Sequence, residues 1–166
     1  MSKACEKPDD IRFSTWPLLL EAHAVLVERL ERDLEAAGGP PLTWYDVMVQ
    51  LSGATDGALS MKELAARVLL SKSGVTRLVD RMVAAGYVER TACPTDRRVV
   101  YARITDEGRA VMDRFAPKHI ADVERYFSRH MTDTEAQVVR KVLMRLIEAA
   151  RRPAPAAAEE AEERSA

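Results

Sequence analysis

The sequence predicts a mainly α-helical chain with a small β-wing: a winged helix-turn-helix region set between long amino- and carboxy-terminal helices. Three observations carry this expectation. Val75, Leu78, Val79, Met82 and Val83 fall at i, i+3, i+4, i+7 and i+8, one apolar stripe of a helix. Directly after it, Tyr87-Val88-Glu89-Arg90-Thr91 and Val99-Val100-Tyr101-Ala102-Arg103-Ile104 read as two strands separated by a turn containing Pro94 and Asp96. Apolar residues at helical spacing then recur on both sides of this region.

Taken in order, residues 1–12 read as a flexible amino terminus. Leu18, Leu19, Ala22, Val25, Leu26, Leu30 and Leu34 give a long apolar stripe on a helix spanning about residues 15–37. Trp44, Val47, Met48 and Leu51 form a further stripe that reads as core. Ser60 is a candidate N-cap, and Glu63 completes a capping box for a short helix. A brief turn at Leu69-Leu70-Ser71 leads to the next helix, with Ser71 as a second candidate N-cap. Opposite that helix's stripe lie Ser73, Thr76, Arg77 and Asp80, with Lys72 and Arg81 beside them. Gly86 stands where a helix end wants a positive φ. After the hairpin, Val111, Met112 and Phe115 begin a helix expected to be interrupted, or kinked, near Pro117. Thr132-Asp133-Thr134-Glu135 then opens a last helix through a capping box, with Val138, Val139, Val142, Leu143, Leu146 and Ile147 on its apolar side. The size suits one domain, residues 13–150, with the winged region at about 42–105 and dimerisation helices at about 15–37 and 106–150. Residues 151–166 read as a disordered acidic tail, with Glu159, Glu160, Glu162 and Glu163 among prolines and alanines.

A helix that grips the core by one face and shows short polar and basic groups on the other has the form of a recognition helix for base edges. An amphipathic surface helix is the plain alternative. The turn Cys93-Pro94-Thr95-Asp96-Arg97-Arg98 sharpens the choice, because adjacent arginines at a hairpin tip repel and bury nothing. They suit a narrow, electronegative minor groove, although a solvated charged turn has the same composition. Charge is segregated in the same sense. Residues 60–103 carry nine Lys and Arg against four Asp and Glu, whereas residues 1–59 carry five against ten, in a chain of net charge −1. That is the footprint of phosphate contact in one segment. The terminal helices are too apolar to stand alone, and packing against their symmetry mates would bury them; folding back onto their own domain is the alternative.

Other classes find little support. Glycine-rich phosphate loops, a nucleophile elbow, metal-ligand pairs at helical spacing and clustered carboxylates with a partner base are all missing from the sequence, so an enzyme is not expected, nor a cofactor. Cys5 and Cys93 make no zinc site alone, and His23, His119 and His130 stand at unrelated spacings, so no metal is implied. Basic residues beside Cys93 favour its thiolate, which makes oxidation at the wing base a minor reading. No apolar run reaches membrane-spanning length and the amino terminus lacks the order of a signal peptide, so a cytoplasmic location is expected.

The runs Met61-Lys62-Glu63-Leu64-Ala65, Ser71-Lys72-Ser73-Gly74-Val75-Thr76-Arg77-Leu78-Val79-Asp80-Arg81-Met82 and Gly86-Tyr87-Val88-Glu89-Arg90 resemble the MarR family of multiple antibiotic resistance regulators. Asp96-Arg97-Arg98 and Ile104-Thr105-Asp106-Glu107-Gly108 carry the same resemblance, which covers about residues 15–150. It implies an obligate homodimeric regulator, usually a repressor, on a pseudopalindromic operator. On this chain the resemblance makes Arg98 the minor-groove arginine, with Asp96 orienting it and Arg97 taking a phosphate. Ser71, Lys72, Ser73, Thr76, Arg77 and Arg81 become the helix contacts with DNA. Relatives commonly bind small aromatic or anionic effectors where the dimer helices meet the reader. Trp16, His23, Tyr45 and Asp46 would line such a cleft, with Arg77 serving a bound carboxylate. The expectation is therefore a dimeric transcriptional repressor of double-stranded DNA, released by a small ligand. An effector-independent regulator or activator, and an interaction module that has lost DNA binding, are the alternatives.

Overall fold

The computed structural model describes residues 10–68, 72–92 and 99–152. They fall into two compact units, divided after Arg125. The first unit holds helix α1 (Ile11–Ala36), α2 (Leu42–Ser52), strand β1 (Ala58–Ser60), α3 (Met61–Arg67), α4 (Lys72–Ala84), β2 (Val88–Ala92) and β3 (Val100–Ile104), followed by α5 (Asp106–Tyr126), which runs up to the division. The second holds a short 3-10 turn at Ser128–His130 and α6 (Asp133–Arg151).

Local chemistry sets the boundaries. Helix α1 begins earlier than the expected start near residue 15, because the Asp10 side chain accepts the Arg12 backbone N–H and caps it. Ser60 caps α3 by accepting the Glu63 N–H, and the Glu63 carboxylate reaches back to the Ser60 N–H at 2.9 Å, so the expected capping box is formed. Thr132 and Glu135 repeat the arrangement at α6. Gly86 takes φ +80 at the end of α4, as its position required. Helix α5 is not interrupted: it runs through Pro117 as one element. The proline removes one N–H from the helix ladder, whereas Val111, Met112 and Phe115 before it and the Tyr45–His119 contact after it tie both halves to α2 and the core.

The sheet has the order β1-β3-β2, antiparallel throughout. The hairpin pairs Val88 with Ile104 and Ala92 with Val100. Strand β1, which the sequence reading did not anticipate, adds Leu59 opposite Ala102 on the other edge of β3. Arg103 fixes that edge by donating from Nη1 to the Asp56 carbonyl at 2.6 Å.

The core of the first unit collects Leu34 from α1, Val47, Met48 and Leu51 from α2, Leu64 from α3, and Val75, Leu78, Val79 and Met82 from α4, over Val88, Ala102 and Ile104. Burial of this set in four helices and a sheet is the main stabilising term. One sequence expectation needs correcting. Val83 is exposed, since at 100° per residue it stands roughly a quarter-turn from the centre of the α4 stripe. On α1 only Leu34 is buried, while Leu18, Leu19 and Val25 remain open to solvent. On α6 no residue is buried, and Val138, Val142, Leu146 and Ile147 are exposed.

Candidate nucleic-acid interface

The interface is built outward from the buried stripe of α4. With Val75, Leu78, Val79 and Met82 locked in the core, the helical period turns Thr76, Arg77, Asp80 and Arg81 outward, and all four are exposed. Lys72 and Ser73 lie in the first turn of the same helix. Arg77 and Arg81 form no ion pair among the described residues, which leaves both guanidinium groups available to an anionic partner.

Strand β2 is braced against this helix through Arg90. Arg90 on β2 donates to Asp80 of α4 at 2.8 Å, and its second amino group reaches the Thr76 carbonyl at 3.4 Å. Asp80 therefore spends its charge on Arg90 and cancels less of the positive field of Arg77 and Arg81. The signal in the sequence was an acid on the polar face of a helix followed by an arginine on the strand after it, but their pairing depends on how the strand folds back.

A second brace ties the end of α4 to the start of α5. The Thr105 hydroxyl donates to the Gly86 carbonyl at 2.7 Å and accepts the Gly108 N–H at 3.0 Å, while the Thr105 N–H donates to the Tyr87 carbonyl at 3.1 Å. Gly108 has to be glycine in this packing, since a Cβ there would stand 2.2 Å from the Tyr87 carbonyl oxygen. The Thr-x-x-Gly element is thus a staple between the helix-turn-helix and α5.

Ser71, Asp96, Arg97 and Arg98, together with Cys5, Cys93 and the tail from residue 153, lie outside the described residues. The residues expected around an effector differ in burial. Trp16 is 58% exposed and His23 is exposed, both on α1, and Asp46 and Arg77 are exposed on α2 and α4. Tyr45 is instead closed into the core at 4% exposure, its ring 4.8 Å from that of His119. Burial raises the Tyr45 phenol above its ordinary range, with Asp113 adding to the effect, and burial lowers His119 against the opposing pull of Asp122 and Asp46. Both groups therefore stay neutral near pH 7. A cleft of about 170 Å³ does open nearby, between the Gly38–Pro41 loop, Trp44, Tyr87, Arg114 and Phe115. Trp44 and Tyr87 meet edge to face in its wall at 5.9 Å. The five residues expected from sequence are not among its lining.

A helix-turn-helix whose second helix is braced by a β-hairpin defines a winged helix-turn-helix protein. A family model described as MarR family matches residues 39–99, which contain that unit up to the second strand. Among solved structures, AbsC, a MarR family transcriptional regulator from Streptomyces coelicolor, is 31% identical with a TM-score of 0.79, over 86% of this chain and 95% of AbsC. Sco3205, a regulator of the same family and organism solved in complex with DNA, is 30% identical with a TM-score of 0.78, over 87% of this chain and 89% of its own. The Bacillus subtilis transcriptional repressor YetL is 32% identical over 77 residues, 46% of each chain. The chain spans less than half the length of the first curated relatives it matches. On these likenesses the chain belongs to the MarR family. Among the described residues no helix is long and apolar enough to cross a membrane, and no cluster of three metal-ligating side chains occurs.

Proposed function

We propose that this chain is a sequence-specific DNA-binding transcriptional regulator that works as a homodimer, represses from a pseudopalindromic operator and is released by a small aromatic or anionic ligand. The observation that carries the DNA-binding reading is the outward face of α4: Thr76, Arg77 and Arg81 are exposed on a helix whose opposite face is locked in the core and whose flank is braced by Arg90. That pairing of rigidity with basic reach suits insertion into a major groove, and Sco3205 has been solved on DNA. By the sequence pattern, Ser71, Lys72 and Ser73 are the further helix contacts of this reading, and Asp96, Arg97 and Arg98 its groove and phosphate contacts. The exposed apolar rows of α1 and α6 support the dimer, because a monomer would leave Leu18, Val25, Val142 and Leu146 in water. YetL is a repressor by name, which favours that sign of regulation. The cleft beside Trp44, Tyr87 and Arg114 supports a ligand that is planar and carries a negative charge.

Alanine replacement tests the assignment residue by residue. Arg98→Ala and Arg77→Ala are each expected to cost about 1–3 kcal/mol of operator binding, read by fluorescence anisotropy on a labelled duplex. Unchanged affinity in both variants would refute the interface.

A further inference from the structure

The sheet commits one face to the core and leaves the other polar. Alternation along β3 buries Ala102 and Ile104 and turns Tyr101 and Arg103 to the opposite face. The register sets Ser60 and Thr91 on either side of Tyr101, and Ala58 and Glu89 on either side of Arg103. Two cross-strand rows of hydroxyl and charged groups therefore cover that face. Helix α3 starts directly after Ser60 and adds Glu63 and Arg67, one turn apart, while the turn around Asp56 flanks the rows. The cleft so formed has a volume of about 660 Å³. That lies within the range of about 300–1,000 Å³ usual for small-molecule sites.

The polar groups of this cleft are only partly spent on one another. Arg103 donates to the Asp56 carbonyl at 2.6 Å and fixes the turn, in which Asp56 has φ +58, the one positive φ outside glycine among the described residues. One Glu63 oxygen accepts from the Ser60 N–H at 2.9 Å and from the Ser60 hydroxyl at 2.6 Å; the other has no hydrogen bond among the described residues. Arg67 is exposed and forms no ion pair among them, and the hydroxyls of Thr91 and Tyr101 have no hydrogen bond there either. A guanidinium matches two phosphate oxygens at once, whereas carboxylates accept from hydroxyl groups. Asp56 and Glu63 disfavour a bare anion, and Arg67 with Arg103 disfavours a bare cation, so the cleft suits a ligand charged at one end and hydroxylated at the other. We propose that it binds a small phosphorylated sugar, with Arg67 on the phosphate, Asp56 and Glu63 on the sugar hydroxyls, and Tyr101 and Thr91 beneath. None of these residues lines the cleft beside Trp44 and Arg114, so the two sites are separate. An occupant here bridges α3 and the wing strands. Any effect on DNA affinity rests on the DNA-binding reading, but the binding itself does not.

Titrations without DNA keep the two questions apart. Ribose 5-phosphate is the probe, added to the isotope-labelled full-length chain and followed by backbone amide signals, with ribose and inorganic phosphate in parallel. Saturable shifts at Asp56, Arg67, Thr91 and Tyr101 are expected, with a Kd of about 0.1–1 mM and at least roughly tenfold weaker binding of ribose or phosphate alone. Arg67→Gln should weaken the probe about tenfold and Tyr101→Phe about threefold, the loss of one charge-assisted and one neutral hydrogen bond. Lys62→Gln, on the same helix but outside the lining, should bind as the wild type does, and the amide spectra show that each variant is folded. Shifts that fail to saturate by about 10 mM would overturn the site. So would inorganic phosphate binding as tightly as the sugar phosphate, or equal affinities in the Arg67→Gln and Lys62→Gln variants, which would leave only general charge attraction.

Discussion

Gly108→Ala is a sharp test of how the domain is held, because helix propensity and packing predict opposite signs. Gly108 lies in the first turn of α5, where alanine would ordinarily stabilise a helix by up to about 1 kcal/mol. Here the added methyl would sit 2.2 Å from the Tyr87 carbonyl oxygen and 3.0 Å from Ile104 Cγ1. Carbon and oxygen settle at ~3.3 Å or more, so α5 and the Tyr87 peptide must part by about 1 Å. That movement stretches the 3.1 Å bond from the Thr105 N–H to the same carbonyl beyond hydrogen-bonding range. The lost bond costs about 1 kcal/mol and the displaced packing about 1–3 kcal/mol, against a propensity gain of at most about 1 kcal/mol. A net loss of about 2 kcal/mol results, or a fall in Tm of roughly 4–8 °C for a domain of this size. Thermal and urea unfolding followed by circular dichroism, at one fixed protein concentration, reads it directly. A variant as stable as the wild type, or more so, would refute the staple as drawn.

Three further outcomes follow from the same contacts. Arg90→Gln and Asp80→Asn should each lower stability slightly, with a coupling of about 0.5 kcal/mol in a double-mutant cycle because both side chains are part-exposed; additive losses would show that the brace is not an interaction. Ser60→Ala removes the cap of α3 and should cost about 1 kcal/mol in urea unfolding. The Ser60 hydroxyl and backbone N–H hold the Glu63 carboxyl below its ordinary value of 4.5, so their contribution is present above that pH and is lost as pH falls through the folded value; the alanine variant should show a flatter acid limb. His119 is lowered by burial, so the unfolded chain binds its proton more readily. Stability should therefore decline as pH falls below about 6.5, and His119→Gln should flatten that decline in a series of melts across the range. An unchanged slope would place His119 in water rather than against Tyr45.

What could be read from sequence was whatever is local and periodic. The stripe Val75, Leu78, Val79 and Met82, the boxes Ser60–Glu63 and Thr132–Glu135, the Gly86 turn and the hairpin strands all have signals within a few residues, and the structure has each of them. Strand β1 escaped because three residues are too short to show alternation, and only pairing with β3 makes them a strand. Pro117 read as a break because its local cost was visible and its tertiary support was not. The Arg90–Asp80 brace and the Tyr45–His119 contact join residues from separate elements, so neither leaves a pattern along the chain. Tyr45 was expected beside a ligand since an aromatic residue next to a core stripe looks the same whether it faces a cleft or a neighbouring helix. The apolar rows of α1 and α6 were legible as rows, but a period states that a face wants covering without naming the cover.

The most direct test of the account is binding of the full-length chain to DNA from upstream of its own gene, titrated by fluorescence anisotropy against a scrambled duplex at two salt concentrations. Saturable binding that exceeds the scramble and weakens steeply with added salt is the predicted result, since base contacts from α4 and the wing give the preference and phosphate contacts give the salt dependence. Equal, weak binding to both duplexes, with no preferred site emerging from a random-sequence selection, would contradict it and leave a winged fold that serves as an interaction module.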